Sequence, residues 1–201
     1  MTTASALSLL RGVDAVVIGA SAGGIDALLV LLDDLPARWR LPLVVVIHLP
    51  EAHESRLAEV FRQRMRVPVC EAQDKAQVAA GTLHFAPPGY HLSIERGGVF
   101  SLSCEPPVRW SRPSIDVLMT SAADAYGARL AGMILTGAND DGAEGLMQIH
   151  RAGGLTAVQS PEEAQVDTMP RAAMTRHIPT HVLPLRALHT LLLQLDNLHA
   201  H

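Results

Sequence analysis

The sequence predicts an α/β fold: a doubly wound, mostly parallel sheet with helices on both faces and an antiparallel hairpin at the edge. Two observations carry this expectation. Short β-branched runs such as Ala15-Val16-Val17-Ile18 and Leu43-Val44-Val45-Val46-Ile47-His48 alternate with longer segments of helical period, the signature of strand–helix–strand units. The chain is also rich enough for a substantial core, with 48% hydrophobic residues, which excludes disorder as its main state. With three Phe, two Tyr and two Trp in 201 residues, that core must be built from Ala, Val, Leu and Ile. The length fits one domain spanning 1–201, with an N-terminal extension over 1–14 and a terminal helix over 185–201.

The elements follow in order. Ala15–Ile18 reads as a buried first strand, and Gly24–Leu35 as a helix stopped by Pro36. Leu43–His48 is a second buried strand. A helix from about Ser55 to Met65 places Leu57, Val60, Phe61 and Met65 on one side and Arg56, Glu59, Arg62 and Arg64 in solvent. Val67–Cys70 is a third strand, and Pro68 marks it as an edge or a strand start. The alternation then breaks. Thr82–Ala86 and His91–Glu95 are short strands, and Arg96-Gly97-Gly98-Val99 turns into Phe100–Ser103, giving an antiparallel hairpin. A connection containing Pro106, Pro107 and Pro113 leads to a helix capped by Ser114 and closed near Gly127. The rhythm resumes with a strand over Leu130–Leu135, a helix over Gly142–Ala152, a strand over Leu155–Gln159 and a short helix from Pro170. Leu185, Leu188, Leu192 and Leu195 recur at helical spacing in the last segment.

Charge and apolar patterning exclude several functions. The 16 basic and 20 acidic residues leave a net charge of −4, against a general nucleic-acid surface. The apolar run Leu41–Leu49 is too short to cross a bilayer and is broken by Pro42 and His48. No export signal is evident at the start, so a soluble cytoplasmic protein is expected. Cys70 and Cys104 form no disulfide framework or metal knuckle and read as small buried hydrophobes.

Three polar residues follow three of the most apolar strands, where open parallel sheets gather ligands and catalytic groups. Gly19-Ala20-Ser21-Ala22-Gly23-Gly24 matches the G-x-S-x-G elbow, in which small neighbours permit a sharp turn that exposes the serine. The same glycine-rich turn is equally able to cradle a phosphate. A dinucleotide site is disfavoured, because the spacing is not G-x-G-x-x-G and the second strand ends in His48 rather than an acid. No G-x-x-x-x-G-K-[ST] loop is present either. His48 is suited to take a proton from the Ser21 hydroxyl, because imidazole titrates near neutrality. His177 and His181 are spaced i,i+4, but Pro179 between them argues against a helical metal pair. The expected site needs no cofactor and no metal. Asp141 is placed to orient His48, or to cap the helix that follows it; on spacing alone Asp140 serves equally well.

Taken together, the motifs resemble the catalytic domain of the CheB family of chemotaxis receptor protein-glutamate methylesterases. The resemblance runs from about Val16 to Met174. It rests on Val17-Ile18-Gly19-Ala20-Ser21-Ala22-Gly23-Gly24, Ile47-His48-Leu49-Pro50, Gly81-Thr82-Leu83-His84-Phe85-Ala86-Pro87-Pro88-Gly89 and Arg112-Pro113-Ser114-Ile115-Asp116-Val117-Leu118. Ile134-Leu135-Thr136-Gly137, Asp141-Gly142-Ala143 and Met169-Pro170-Arg171 complete it.

The resemblance implies Ser21 as nucleophile, His48 as base and Asp141, rather than Asp140, as the orienting acid. It implies hydrolysis of glutamyl methyl esters on the cytoplasmic helices of chemoreceptors, with glutamine deamidation in some members. It also implies that the backbone N–H groups of His48 and Ala138 bind the oxyanion. The familiar enzyme carries an N-terminal receiver domain, for which the roughly fifteen residues before the first strand leave no room; a separate receiver-domain partner is the expected alternative. Three positions depart from the family pattern: Ala22 replaces a Thr, Ala138 a Met and Asn139 a Gly. Asn139 is able to adopt positive φ in that glycine's place. These departures motivate the alternative of a non-catalytic regulatory module with the same fold. A small-molecule esterase is a weaker reading, because no large apolar lid segment is evident.

Overall fold

The computed structural model describes residues 12–48 and 56–199. The Leu49-Pro50 motif, the expected helix start at Ser55, most of the N-terminal extension and the last two residues of the expected terminal helix lie outside the described residues.

Strand β1 (Ala15–Ala20) leads into helix α1 (Gly24–Leu31), then β2 (Leu43–Ile47), α2 (Leu57–Arg62) and β3 (Val69–Glu71). Strands β4 (Leu83–Phe85), β5 (His91–Glu95) and β6 (Val99–Ser103) follow, then α3 (Ile115–Tyr126) and β7 (Leu130–Ile134). The chain ends with α4 (Ala143–Arg151), β8 (Leu155–Gln159), α5 (Thr168–Arg176), β9 (His181–Leu183) and α6 (Leu185–His199). Seven strands form one parallel sheet in the order β3-β4-β2-β1-β7-β8-β9. The doubly wound α/β expectation holds.

The strands are apolar on both faces because both faces are covered. Val16 and Ile18 of β1 belong to a core with Leu28 and Leu31 of α1, Phe61 of α2 and Leu188 and Leu192 of α6. Ala15 and Val17, pointing the other way, belong to a second core with Leu118 of α3, Leu146 of α4 and Met169 of α5. The buried Asp196 of α6 accepts from the N–H groups of Arg40 and Leu41 at 2.9 and 3.0 Å, fixing that helix at the entry to β2.

Several boundaries differ from expectation. Helix α1 stops at Leu31, short of Pro36, and α5 starts at Thr168, with Pro170 in its first turn where a missing N–H costs nothing. The hairpin β5–β6 does not extend the large sheet but forms a sheet of its own. Leu92, Ile94 and Phe100 bury against the α3 side of the core, and the Ile94 N–H donates to Ser121 of α3 at 3.1 Å. The true edges are β3, as Pro68 suggested, and β9, which the sequence did not announce. Cys104 is exposed after β6 and Cys70 is half-buried against His84 at 3.3 Å, so neither is the fully buried thiol expected.

Strand order reverses at β1, which has β2 on one side and β7 on the other, so a crevice opens beyond its carboxyl end. Helix α3 approaches this point unusually closely. A Cβ on Gly19 would lie 2.3 Å from Ile115 Cγ2, and one on Gly142, whose φ is +92°, would lie 2.6 Å from the same atom. Ile115, the first residue of α3, is wedged between these two glycines.

Gly19→Ala should therefore destabilise the fold by about 1–3 kcal/mol through overpacking. Ile115→Ala carries its own cavity cost, yet the double variant should be more stable than the sum of the two losses. Urea unfolding of all four proteins measures this, and strict additivity would refute the wedge.

Candidate active site

Ser21 is the first residue beyond β1. Its N–H donates to Thr136 O at 3.0 Å, and its carbonyl accepts from the Gly24 N–H at 2.7 Å. This closes a tight turn whose third residue, Gly23, has φ +77° and ψ 0°, a conformation glycine adopts without strain. A side chain there would also meet Gln165, whose Oε1 lies 2.4 Å from the ideal Cβ position. The turn delivers the chain into α1 immediately behind Ser21.

His48 occupies the matching place beyond β2. Ala20 pairs with Ile47, so Ser21 and His48 stand on the next rung of adjacent strands. The His48 N–H donates to Ala20 O at 3.1 Å. That hydrogen bond occupies the group expected to help bind an oxyanion; in this arrangement the ladder uses it. The Ala138 N–H differs: Ala138 is exposed, and among the described residues no acceptor takes it.

The His48 ring meets Asp141, with Nε2 at 2.8 Å from Oδ2. Asp141 is fully buried and its carboxylate accepts three further hydrogen bonds: Ser114 Oγ at 2.8 Å, the Ile115 N–H at 2.7 Å and the Asp116 N–H at 3.0 Å. Its partners are thus the first free N–H groups of α3, where a helix favours an anion. Burial pushes the Asp141 carboxyl upward, but the hydrogen bonds from His48, Asp116, Ile115 and Ser114 prevail and hold it below the ordinary carboxylate range. Because this carboxylate only accepts, His48 carries its proton on Nε2 and presents a lone pair at Nδ1. Ser114 is the residue preceding α3, as expected, but its hydroxyl serves Asp141 rather than a helix N–H. Likewise Asp141 caps α3, not the α4 helix that follows it in sequence, whose cap residue is Gly142.

Asp140 and Asp141 have separate partners. Arg109 pairs with Asp140 and, through Nε at 3.0 Å, with Asp116. The structure therefore brings His48 and Asp141 together and sets Ser21 beside them; among the described residues Ser21 and His48 are not hydrogen-bonded. Free enzymes often hold such a pair loosely until substrate arrives.

Sequence reasoning missed two neighbours of the His48 lone pair. Ser111 Oγ and Asn139 Nδ2 each lie 3.5 Å from Nδ1. Asn139 does not use its capacity for positive φ. Its Oδ1 instead accepts from the Asp141 N–H at 3.2 Å, which turns its amide nitrogen toward His48. Thr136 binds the loops together: its hydroxyl donates toward Ala22 O at 2.9 Å and accepts from the Val166 N–H at 2.9 Å. Gly137 leaves room for both Met169 and Ser21, whose Cβ would be 3.0 Å from an added Cβ.

Comparison with known proteins adds the family. The family model described as CheB methylesterase matches residues 16–192. A Leptospira interrogans protein assigned as a protein-glutamate methylesterase/protein-glutamine glutaminase is 40% identical over 183 residues, 91% of this chain and 95% of that one. Protein-glutamate methylesterase/protein-glutamine glutaminase 2 of Anaeromyxobacter dehalogenans is 43% identical over 86% of this chain, which spans only 50% of it. The crystal structure of the Thermotoga maritima CheB methylesterase catalytic domain superposes with a TM-score of 0.86 at 30% identity, covering 92% of this chain and all of that one.

The lowered Asp141 pKa gives a signed pH dependence. Its ionisation supports the fold at neutral pH, and that support is lost as pH falls through the folded-state pKa, below about pH 4. Burial raises Asp116 instead, so its contribution strengthens toward acid and cannot cause this loss. Asp141→Ala should cost about 2–4 kcal/mol at pH 7 by orphaning buried donors, and should flatten the acid limb of stability. Urea unfolding from pH 7 to 3 tests both, and an acid limb as steep as that of the unaltered protein counts against this role.

Proposed function

The chain belongs to the CheB methylesterase family, and from that premise we propose that it hydrolyses γ-glutamyl methyl esters on the cytoplasmic helices of chemoreceptors, releasing methanol. Ser21 is the nucleophile, His48 the general base and Asp141 the orienting acid. The observation that carries the reading is the His48–Asp141 hydrogen bond at 2.8 Å, on the strand rung next to Ser21.

The steps follow from the arrangement. The His48 Nδ1 lone pair takes the Ser21 proton as Oγ attacks the ester carbonyl. Asp141 stabilises the imidazolium through Nε2–H. The tetrahedral oxyanion accepts from the Ala138 N–H, and the amide dipoles at the start of α1 lie behind the nucleophile. Collapse breaks the bond to the methoxy group, which leaves as methanol with the proton from His48. Water, deprotonated by His48, then attacks the acyl-serine; the bond to Ser21 Oγ breaks, Oγ takes the proton back from His48, and the glutamate side chain is freed as the acid, which ionises to its carboxylate. With ammonia as leaving group the same cycle deamidates glutamine. Among the described residues no helix is long and apolar enough to cross a membrane, and a cytoplasmic protein acting on receptor helices fits this reading.

The test is methanol release from a methylated receptor fragment. The unaltered protein should turn over, and Ser21→Ala and His48→Ala should each lose at least about a thousandfold in kcat; Ser21→Ala should keep the same urea midpoint within error, whereas His48→Ala should also lower it, because it removes a donor from the buried Asp141. Binding of the fragment without methanol release by the unaltered protein would favour the non-catalytic module instead.

A further inference from the structure

The segment between β6 and α3 makes a tight two-residue hairpin beside the candidate site. The Val108 N–H donates to Ser111 O at 3.1 Å, and the Ser111 N–H donates back to Val108 O at 2.9 Å. The two residues at the tip, Arg109 and Trp110, have φ of +48° and +65°. Such turns favour Asn and Gly, because a side chain at positive φ crowds its own backbone. Here a guanidinium and an indole occupy both positions.

The Trp110 side chain gains nothing from the fold to offset this strain, because the residue is 100% exposed. Trp39, by contrast, is buried and donates its indole N–H to Leu41 O at 2.6 Å. Nor is the turn free to swing. Arg109 is tied to Asp116 in the first turn of α3 and to Asp140 next to Asp141. Ser111, the residue after Trp110, reaches the His48 ring at 3.5 Å. An indole is thus held out in water at the rim of the site, on a strained turn braced against the elements that hold His48 and Asp141. Strain and exposure concentrated beside a reactive centre mark a binding role.

We propose that Trp110 is a docking residue for protein substrates: its indole packs on the aliphatic face of the segment carrying the esterified glutamate. This rests on the methylesterase reading. Arg109 acts through the turn as its positioning residue. The contact sets affinity for a macromolecular substrate and takes no part in bond making or breaking.

The experiment compares two esters, a methylated receptor fragment and N-acetyl-glutamate γ-methyl ester, with the full chain. Trp110→Ala should raise KM for the fragment about 10- to 30-fold with kcat changed less than about twofold, and should leave kcat/KM for the small ester within about twofold. Trp110→Phe should restore most of the affinity, since a flat apolar ring remains. An unchanged KM for the fragment overturns the proposal, as does an equal loss on both esters, which would mean that the turn acts on His48 instead. Because Trp39 is buried, acrylamide quenching in Ser21→Ala reports on Trp110, and saturating fragment should protect it; binding without protection also overturns the proposal. The readings separate cleanly. If Ser21→Ala still releases methanol, the assigned chemistry fails; if it does not and Trp110→Ala behaves like the unaltered protein, only the docking role fails.

Discussion

One buried carboxylate organises this end of the molecule. Asp141 has no solvent to ionise into, and it is charged because four donors converge on it: His48, Ser114 and two backbone N–H groups at the start of α3. An unpaired buried anion is costly, and a half-satisfied one little better. Each donor therefore depends on the others. Helix α3 must begin where it does for Asp141 to be charged, and Asp141 must be charged for the His48 proton to stay on Nε2. An imidazole that holds its lone pair away from Asp141, as the proposed base must, is the outcome of helix capping as much as of any property of imidazole.

The close approach behind that arrangement is a matter of absent atoms. Ile115 contributes an N–H to Asp141 and at the same time lodges its side chain between Gly19 of β1 and Gly142. Without those two glycines the helix would stand off from the strand, and the carboxylate would lose its donors. Gly23 and Gly137 act similarly around Ser21, leaving space for Gln165 and Met169. The glycines around the candidate site in this chain are thus explained by contact distances. Asn139 is accommodated differently, through side-chain hydrogen bonds to Asp141 and His48.

Elements with a strong local signature were legible in the sequence. Strands β1, β2 and β7 are runs of small and branched apolar residues buried from both sides, β8 is largely buried although it includes Thr156 and Gln159, and α3 through α6 carry a helical period or cap. Strand β9 was not legible: three residues with an exposed Val182 have no pattern, and the strand forms because Leu183 O accepts from the Ser160 N–H and Thr180 bonds to Thr156. The place of β4 between β2 and β3 was equally hidden, since order along the chain does not determine order across a sheet. At the site, Ser21, His48 and Asp141 stood out because each follows an apolar strand, Ser21 and His48 directly and Asp141 after the loop beyond β7. Ser111, and the service of Ser114 to an aspartate 27 residues away, were invisible because the partners meet only in three dimensions. That the His48 N–H donates to Ala20 O was hidden for the same reason: whether a backbone group is free depends on the register of its strand.

The two cores on opposite faces of the sheet have a consequence for how the protein fails. Ser21 follows a strand continuous with α1 on one face, whereas Asp141 is held by α3 on the other. A partial opening that lifts α3 from the sheet withdraws the anchor of His48 and leaves Ser21 as an ordinary alcohol. Neither layer carries a reactive centre on its own. With the proposed chemistry, damaged or half-folded copies are inert toward esters, and reactivity belongs only to the fully cooperative native state.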